Sequence, residues 1–498
     1  MNVNPITRLD YPDPDVIRVE DTYYMVSTTM HFMPGCEILQ SFDLVHWEHV
    51  TYVYETLDHT DAQQLKSGQN IYGQGMWAAS LRYHEGRFYI CFVANDTRKT
   101  YLYTSEKIDG PWKKQLIEGF YHDGSLLFDE DGRNYIVYGN DEIWITELNE
   151  DLTAPKKDGL HRLLVSDHKN PELGYEGSHI QKINGYYYIF LVHSLRDRWM
   201  RTEACFYSDS LEGEFTGGDV LCDDRGYCGQ GVAQGGIVDT PDGKWYAMLF
   251  QDSGAVGRIP ILLPVTWKDH FPFFGQNGHV PEEIEVHSTR PGYIYQPLVG
   301  SDDFCNGLLP RWQFNHDPDP RYYHLDALQG TYTITTREVC TELTQAVNTL
   351  TQRMSYPSCA AEVTVDASAL KEGDVAGLCA LQSCYAAVGI TKHHGKYEVL
   401  MLDKKEDGIL DMTDGTVVES HQMDFRLEAD FCNMKDEARC YYRVNKGDWL
   451  PIGTVHKLYF KLDHFTGCRF GLFCYAAEET GGSACFRDFK YYDVDEIS

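Results

Sequence analysis

Three acidic residues, Asp13, Asp123 and Glu176, open segments that share one pattern. The segments are DPDVIRVEDTYYMV from Asp13, WAASLRYHEGRFYI from Trp77, DGSLLFDEDGRNYI from Asp123, EGSHIQKINGYYYI from Glu176 and QGGIVDTPDGKWYA from Gln234. Arranged around one axis, their first positions converge, and three carboxylates share a cleft with a tryptophan and a glutamine. Like charges held close push their pKa values apart. One carboxylate then stays ionised and can activate water, while another keeps a proton and can hand it to a leaving oxygen. Inverting hydrolysis of a glycosidic bond uses such a pair, about 6.5–9.5 Å apart. Packing alone does not require acids there, since the second and fifth copies carry Trp77 and Gln234. Taken singly, Asp13 and Asp123 equally suit capping of strand-opening turns.

What would position these groups is the repeat itself. Each copy passes from a short strand through a turn into an aromatic strand, which reads as the first half of a four-stranded blade. The turns Glu85-Gly86, Asp131-Gly132, Asn184-Gly185 and Asp242-Gly243 tolerate positive φ and mark hairpins. The first copy, with Asp21-Thr22 at its turn, is one residue shorter. Copies begin about 45 to 65 residues apart, near the length of a propeller blade. The expected fold class is all-β, with a five-bladed β-propeller over residues 1–290, a linker over 291–300 and a jelly-roll β-sandwich over 301–498. The sandwich is read from period-two strands such as GTYTITT, CAAEVTVDAS and CRFGLFCYA, and the absence of long helical periodicity argues against a TIM barrel.

Composition narrows the chemistry. With 43 Lys+Arg against 75 Asp+Glu the net charge is −32, which repels phosphate backbones and excludes nucleic acid, while a neutral substrate is unaffected. The 34 tyrosines suit half-buried strands and equally a sugar site. The 15 cysteines include no CxxC pair, which reads as free thiols in a reducing compartment. The start, MNVNPITRLDYPDPD, has no secretory pattern, and no apolar run approaches the ~20 residues of a membrane helix. A cytoplasmic protein without membrane contact is expected. The run GYCGQGVAQGG (226–236) lacks the lysine and helix of a phosphate loop and reads as a flexible channel-lining loop. His122 reads mainly as a loop-orienting neighbour of Asp123.

The sequence resembles glycoside hydrolase family 43, the β-xylosidases and α-L-arabinofuranosidases, in its members with a C-terminal concanavalin-like sandwich. The motifs are YPDPDVIRVEDTYYMVSTTMHF, MWAASLRYHEGRFYI, HDGSLLFDEDG, YEGSHIQKINGYYYI and QGGIVDTPDGKWYAMLFQDSGAVGR, in that order. The likeness continues into SDDFCNGLLPRWQFNHDPDPRYY. It implies Asp13 as general base, Glu176 as general acid and Asp123 as the carboxylate that tunes the acid. It implies Trp77 beside the sugar, Arg258 bonded to the sugar and the carboxylates, and His31, Phe32 and Gln234 in substrate binding. Many relatives have a fifth-blade His that helps hold a hydrated cation, often calcium; Gln234 stands at that place, which weakens the case for a metal while leaving a structural Ca2+ in the channel open, and the chemistry needs no cofactor. The implied activity is inverting, exo-acting release of terminal β-D-xylose or α-L-arabinofuranose from a small oligosaccharide, by a chain that is open to homo-oligomer formation. Two other readings remain. One is a non-catalytic sugar-binding propeller, in which the acids are dispensable. The other is a retaining β-fructosidase, whose Asn-Asp-Pro-Asn motif is replaced by Tyr11-Pro12-Asp13-Pro14-Asp15.

Overall fold

Strands form where β-branched and aromatic residues alternate with polar ones, and they end at the glycine and aspartate turns. In the computed structural model, which describes residues 2–493, five four-stranded antiparallel sheets follow one another along the chain. The first strand of each is innermost: β1 (Asp15–Val19), β2 (Met76–His84), β3 (Ser125–Phe128), β4 (Glu176–Ile183) and β5 (Val232–Asp239). Each of the five touches the next, and β5 touches β1, so the ring closes about one axis. This is a five-bladed β-propeller. Blades pack face to face through apolar side chains, as Val26 and Ile38 of the first blade do with Leu81, Ile90 and Phe92 of the second. Burial of each such side chain contributes about 1.5–3 kcal/mol.

Two local expectations are corrected. The first hairpin turns at Glu20-Asp21, with Glu20 at φ 55°, one place before Asp21-Thr22. Thr22 instead begins the second strand opposite Val19, because a β-branched residue is poorly suited to positive φ. The glycine run 226–236 is not a flexible loop throughout, since from Val232 onward it is β5, buried as far as Val238. Its glycines allow close approach: a Cβ on Gly231 would lie 1.9 Å from the Arg201 carbonyl oxygen, and one on Gly235 would lie 1.8 Å from that of Met248.

Past the propeller, a nine-stranded and a seven-stranded antiparallel sheet enclose one apolar core that includes Leu378, Val388, Val363, Phe425 and Phe486. This is the β-sandwich. Its larger sheet takes an outermost strand from the propeller, where Phe32–Met33 pairs with Gln313–Asn315. The connecting segment is laid along the first blade: Tyr293 and Tyr295 pack on Phe42, and the Tyr295 hydroxyl accepts the Phe42 N–H at 2.9 Å. All 15 cysteines are free thiols. Among the described residues no helix is long and apolar enough to cross a membrane.

The close approaches give a stability test. Gly235→Ala should lower unfolding free energy by about 3 kcal/mol or more, because its Cβ meets backbone that cannot step aside. Gly218→Ala, with nothing within 4 Å of its Cβ position, should change it by less than about 0.5 kcal/mol. Urea midpoints of the two variants measure the contrast.

Candidate active site

The five first positions reach the axis by two local devices. Asp13 and Asp123 stand just ahead of β1 and β3 at φ 52° and 48°. Aspartate is among the few side chains that visit this region, at a cost of about 1–3 kcal/mol that the surroundings must offset. Trp77 and Glu176 lie within β2 and β4, where the pairing with the next strand slips immediately after them. Such bulges bend the strand and re-aim its side chains. β5 has a similar slip between Ala233 and Gly236, with Gln234 between them at φ 63°.

Asp13 is 7% exposed. It accepts the Thr28 hydroxyl at 2.6 Å and Arg258 Nη1 at 3.2 and 3.4 Å. Arg258 is 2% exposed, and its guanidinium lies 4.3 Å from the ring centre of Phe465, a sandwich residue. On the other side of Trp77 is a second group. Asp123 accepts the Gly177 N–H at 2.9 Å, and His122 Nε2 sits 3.5 Å from Asp123 Oδ2 and 3.4 Å from Glu176 Oε2. Glu176 Oε2 also accepts Asn140 Nδ2 at 2.6 Å. The Trp77 ring connects the two groups, 5.5 Å from Phe465 and 6.1 Å from His122. A cavity of about 630 Å³ opens above, lined by Trp77, Glu176 and Arg201 and, from the sandwich, by Phe460, Leu462 and Phe465. That size suits a small ligand.

Asp123 and Glu176 are shifted in opposite directions, and it is Asp123 rather than the expected acid Glu176 that is raised. Burial, with the charges of Glu176 and Asp13, pushes Asp123 up to about 6 against the opposing charge of His122. Burial also acts to raise Glu176, yet the hydrogen bond and charge of His122, the charge of Arg201 and the Asn140 amide outweigh it and hold Glu176 below the usual range. His122 is pushed up to about 9, first by Asp123, then by Glu176 and Asp13. These shifts favour the charged form of His122 beside an ionised Glu176.

Other residues fall differently from the sequence reading. His31 and Phe32 are buried in the seam between propeller and sandwich, away from the cavity lining. His31 packs on His316 and Tyr72, and Phe32 lies under the Arg469 guanidinium at 3.5 Å. The strand pairing of Phe32–Met33 with the sandwich draws them there. Gln234 is 4% exposed, its side chain packs beside Gly177, and its backbone N–H donates to the buried Glu203 at 2.7 Å. Unforeseen are Arg201, which lines the cavity with its Nε on Asp252 at 2.8 Å, and Phe465 and Asn140. All three lie outside the repeat's first two strands or at their ends. Only the charged Arg201 close to Trp199 offered a signal.

Calcium takes six to eight oxygen ligands, carboxylates prominent among them. Among the described residues one group of potential ligands has its atoms within 4.8 Å of one another, namely His122, Asp123 and Glu176. That group offers two carboxylates and one ring nitrogen, whereas calcium favours a shell of oxygens. The Gln234 side chain is packed beside Gly177, and the carboxylate of Asp15 is already engaged by Arg82 and His179. The donor set does not fit a calcium ion.

Comparison with known proteins completes the description. Residues 3–272 match the family described as glycosyl hydrolases family 43, and residues 301–492 match the beta xylosidase C-terminal concanavalin A-like domain. A beta-xylosidase of Formosa agariphila is 26% identical over 554 residues, covering 99% of this chain and 89% of that protein. A non-reducing end alpha-L-arabinofuranosidase of Bacteroides ovatus is 24% identical over 432 residues, covering 82% and 79%. A solved structure described as a bifunctional GH43-CE of Bacteroides eggerthii superposes with a TM-score of 0.93 at 42% identity. It covers 100% of this chain, and this chain spans 64% of that one.

The raised affinity of His122 links protons to folding. Its contribution to stability is fully present below about pH 6.5, its ordinary value, and is lost as the pH rises through about 9. Since each tenfold gain in proton affinity is worth about 1.4 kcal/mol, the contribution is on the order of 3 kcal/mol. Unfolding free energy should fall across that window, and His122→Asn should flatten the fall. Urea titrations at several pH values read it directly.

Proposed function

The chain belongs to glycosyl hydrolases family 43 and is a glycosidase, and from that premise we propose that it is an inverting exo-enzyme. Its substrates are short xylo- or arabino-oligosaccharides, from which it releases terminal β-D-xylose or α-L-arabinofuranose. The observation that carries the reading is the division of the acids into two environments on either side of Trp77, which with Glu176 lines the cavity. Asp13 is fixed by Thr28 and Arg258, and Glu176 by Asn140 and His122, with Trp77 between the groups.

In this reading Asp13 takes a proton from water as its oxygen attacks the anomeric carbon. Glu176 gives a proton to the departing glycosidic oxygen on the opposite side, so the configuration inverts. A sugar packed against Trp77 and Phe465 strips water from Glu176, which raises its affinity for a proton. His122, 3.4 Å away and protonated through the neutral range, supplies that proton. Asp123, anchored on the Gly177 N–H, orients His122 and Glu176. The sandwich residues Phe460, Leu462 and Phe465 wall the cavity, which supports attack at a chain end. The relatives' names include both pentosidase activities, and the reading covers either sugar. A cytoplasmic setting is part of the proposal, supported by the free thiols.

Aryl xylosides and aryl arabinofuranosides assayed with wild type and two variants test the assignment. Asp13→Ala should lose about 10²–10⁴-fold in kcat on every substrate. Glu176→Ala should lose that much on a natural disaccharide but far less on a nitrophenyl glycoside, whose leaving group needs little protonation. Proton NMR of the first product should show the inverted anomer. Retention, or no cleavage of either pentoside, would sink the reading.

A further inference from the structure

The propeller axis carries a cation of its own. Arg82, on β2, donates from Nη1 to Asp15 Oδ2 at 2.8 Å and to the Leu81 carbonyl at 2.6 Å. Its Nε donates to the Leu126 carbonyl at 2.8 Å, and its Nη2 to Ser125 Oγ at 2.7 Å and the Ile180 carbonyl at 3.2 Å. All five N–H groups of a guanidinium are thereby used. The acceptors stand on β1, β2, β3 and β4. Asp15, fully buried, also accepts the Leu81 N–H at 2.7 Å and meets His179 Nδ1 at 3.1 Å. The remaining strand, β5, comes in through a glycine: a Cβ on Gly236 would lie 3.2 Å from His179 Nδ1 and 3.4 Å from Asp15 Oδ1. Below this cluster a second cavity of about 410 Å³, lined by residues of all five inner strands, forms the opposite mouth of the channel.

The acceptors of this one guanidinium sit close in sequence to the reacting groups. Asp15 is two residues from Asp13, Ser125 two from Asp123, Ile180 four from Glu176, and Arg82 itself five from Trp77. We propose that Arg82 is a positioning residue, which sets the spacing of the three carboxylates by clamping the strands that bear them and does so in place of a divalent ion. A bound metal would hold several strands through shared oxygen ligands. Here a fixed side chain does so through directional bonds to three carbonyl or hydroxyl oxygens of neighbouring blades and one carboxylate. The positioning part rests on the assignment of Asp13, Asp123 and Glu176 above. The replacement of a metal does not.

The test uses the full chain as wild type, Arg82→Met, Arg82→Lys and Ser125→Ala, each before and after treatment with EDTA and after addition of Ca2+. Chelation should leave wild-type Tm and kcat unchanged. Arg82→Met should lose about 10²-fold in kcat on an aryl pentoside, the scale of a misplacement near 1 Å, with KM held within about twofold. Ca2+ should not restore it, and Arg82→Lys should recover part of the rate. Ser125→Ala keeps the guanidinium and removes one acceptor; it should lower kcat at constant KM, and it carries the test if Arg82→Met does not fold. A wild-type Tm that falls on chelation and returns with Ca2+ overturns the replacement of a metal. Unchanged kcat in Arg82→Met, or in Ser125→Ala where that variant carries the test, overturns the positioning role. If wild type cleaves no pentoside, the functional reading fails by itself, and the chelation arm still decides the ion by Tm.

Discussion

The contact between Arg258 and Asp13 ties together more of the structure than any other. Arg258 is almost wholly buried and Asp13 nearly so, and a guanidinium so placed is tolerated only when it is matched at contact distance. Its backbone N–H donates to Asp10 Oδ1 at 2.8 Å, while Asp10 Oδ2 accepts the N–H of Gly467 at 2.8 Å. Gly467 closes the sandwich loop that lays Phe465 over the same guanidinium, and it can do so because a Cβ there would lie 2.1 Å from the Val256 carbonyl oxygen. The carboxylate, its cation and an aromatic from the other domain therefore move as one unit. A shift of any of them displaces the others.

Facing this unit is an assembly of the opposite kind. His122, Asp123 and Glu176 are held by hydrogen bonds that leave room for a proton to change owner, with one group pushed up to about 9, one up to about 6 and one held low. The propeller supplies both because its inner strands turn side chains to the axis in different ways. A positive φ before the strand produces a short, rigid reach for Asp13 and Asp123, whereas a bulge inside the strand sends the longer side chains of Trp77 and Glu176 further out. Residue length and local backbone are thus matched at each of these positions.

Much of this could be read from the sequence. Alternating strands and the Glu85-Gly86 and Asn184-Gly185 turns, both residues of each at positive φ, marked the blades because those residue types have few other uses. The common place of Asp13, Asp123 and Glu176 in the repeat was informative because symmetry turns equivalent positions into neighbours. What stayed hidden depends on contacts that symmetry does not dictate. His122 acts through where its ring points, Phe465 arrives from a domain without the repeat, and Arg201 takes its place from Asp252 on the next blade. His31 and Phe32 misled for a related reason: they follow the first motif directly, yet one short strand pairing carries them out of the pocket wall. The glycines of 226–236 resembled flexibility because a run of small residues looks the same whether it permits motion or close packing.

That short pairing has a consequence for how the chain could be built or divided. Phe32–Met33 completes the sandwich's larger sheet, Arg353 reaches into the propeller to Glu37 at 2.9 Å, and Tyr72 stacks on His464 at 3.8 Å. The junction is a weld and not a hinge. Severing the chain near residue 300 would not liberate two competent halves, for one would bare a raw sheet margin and the other would forfeit part of its binding wall. The second domain is not an interchangeable module, because it takes a strand from the first and gives it part of the cavity wall.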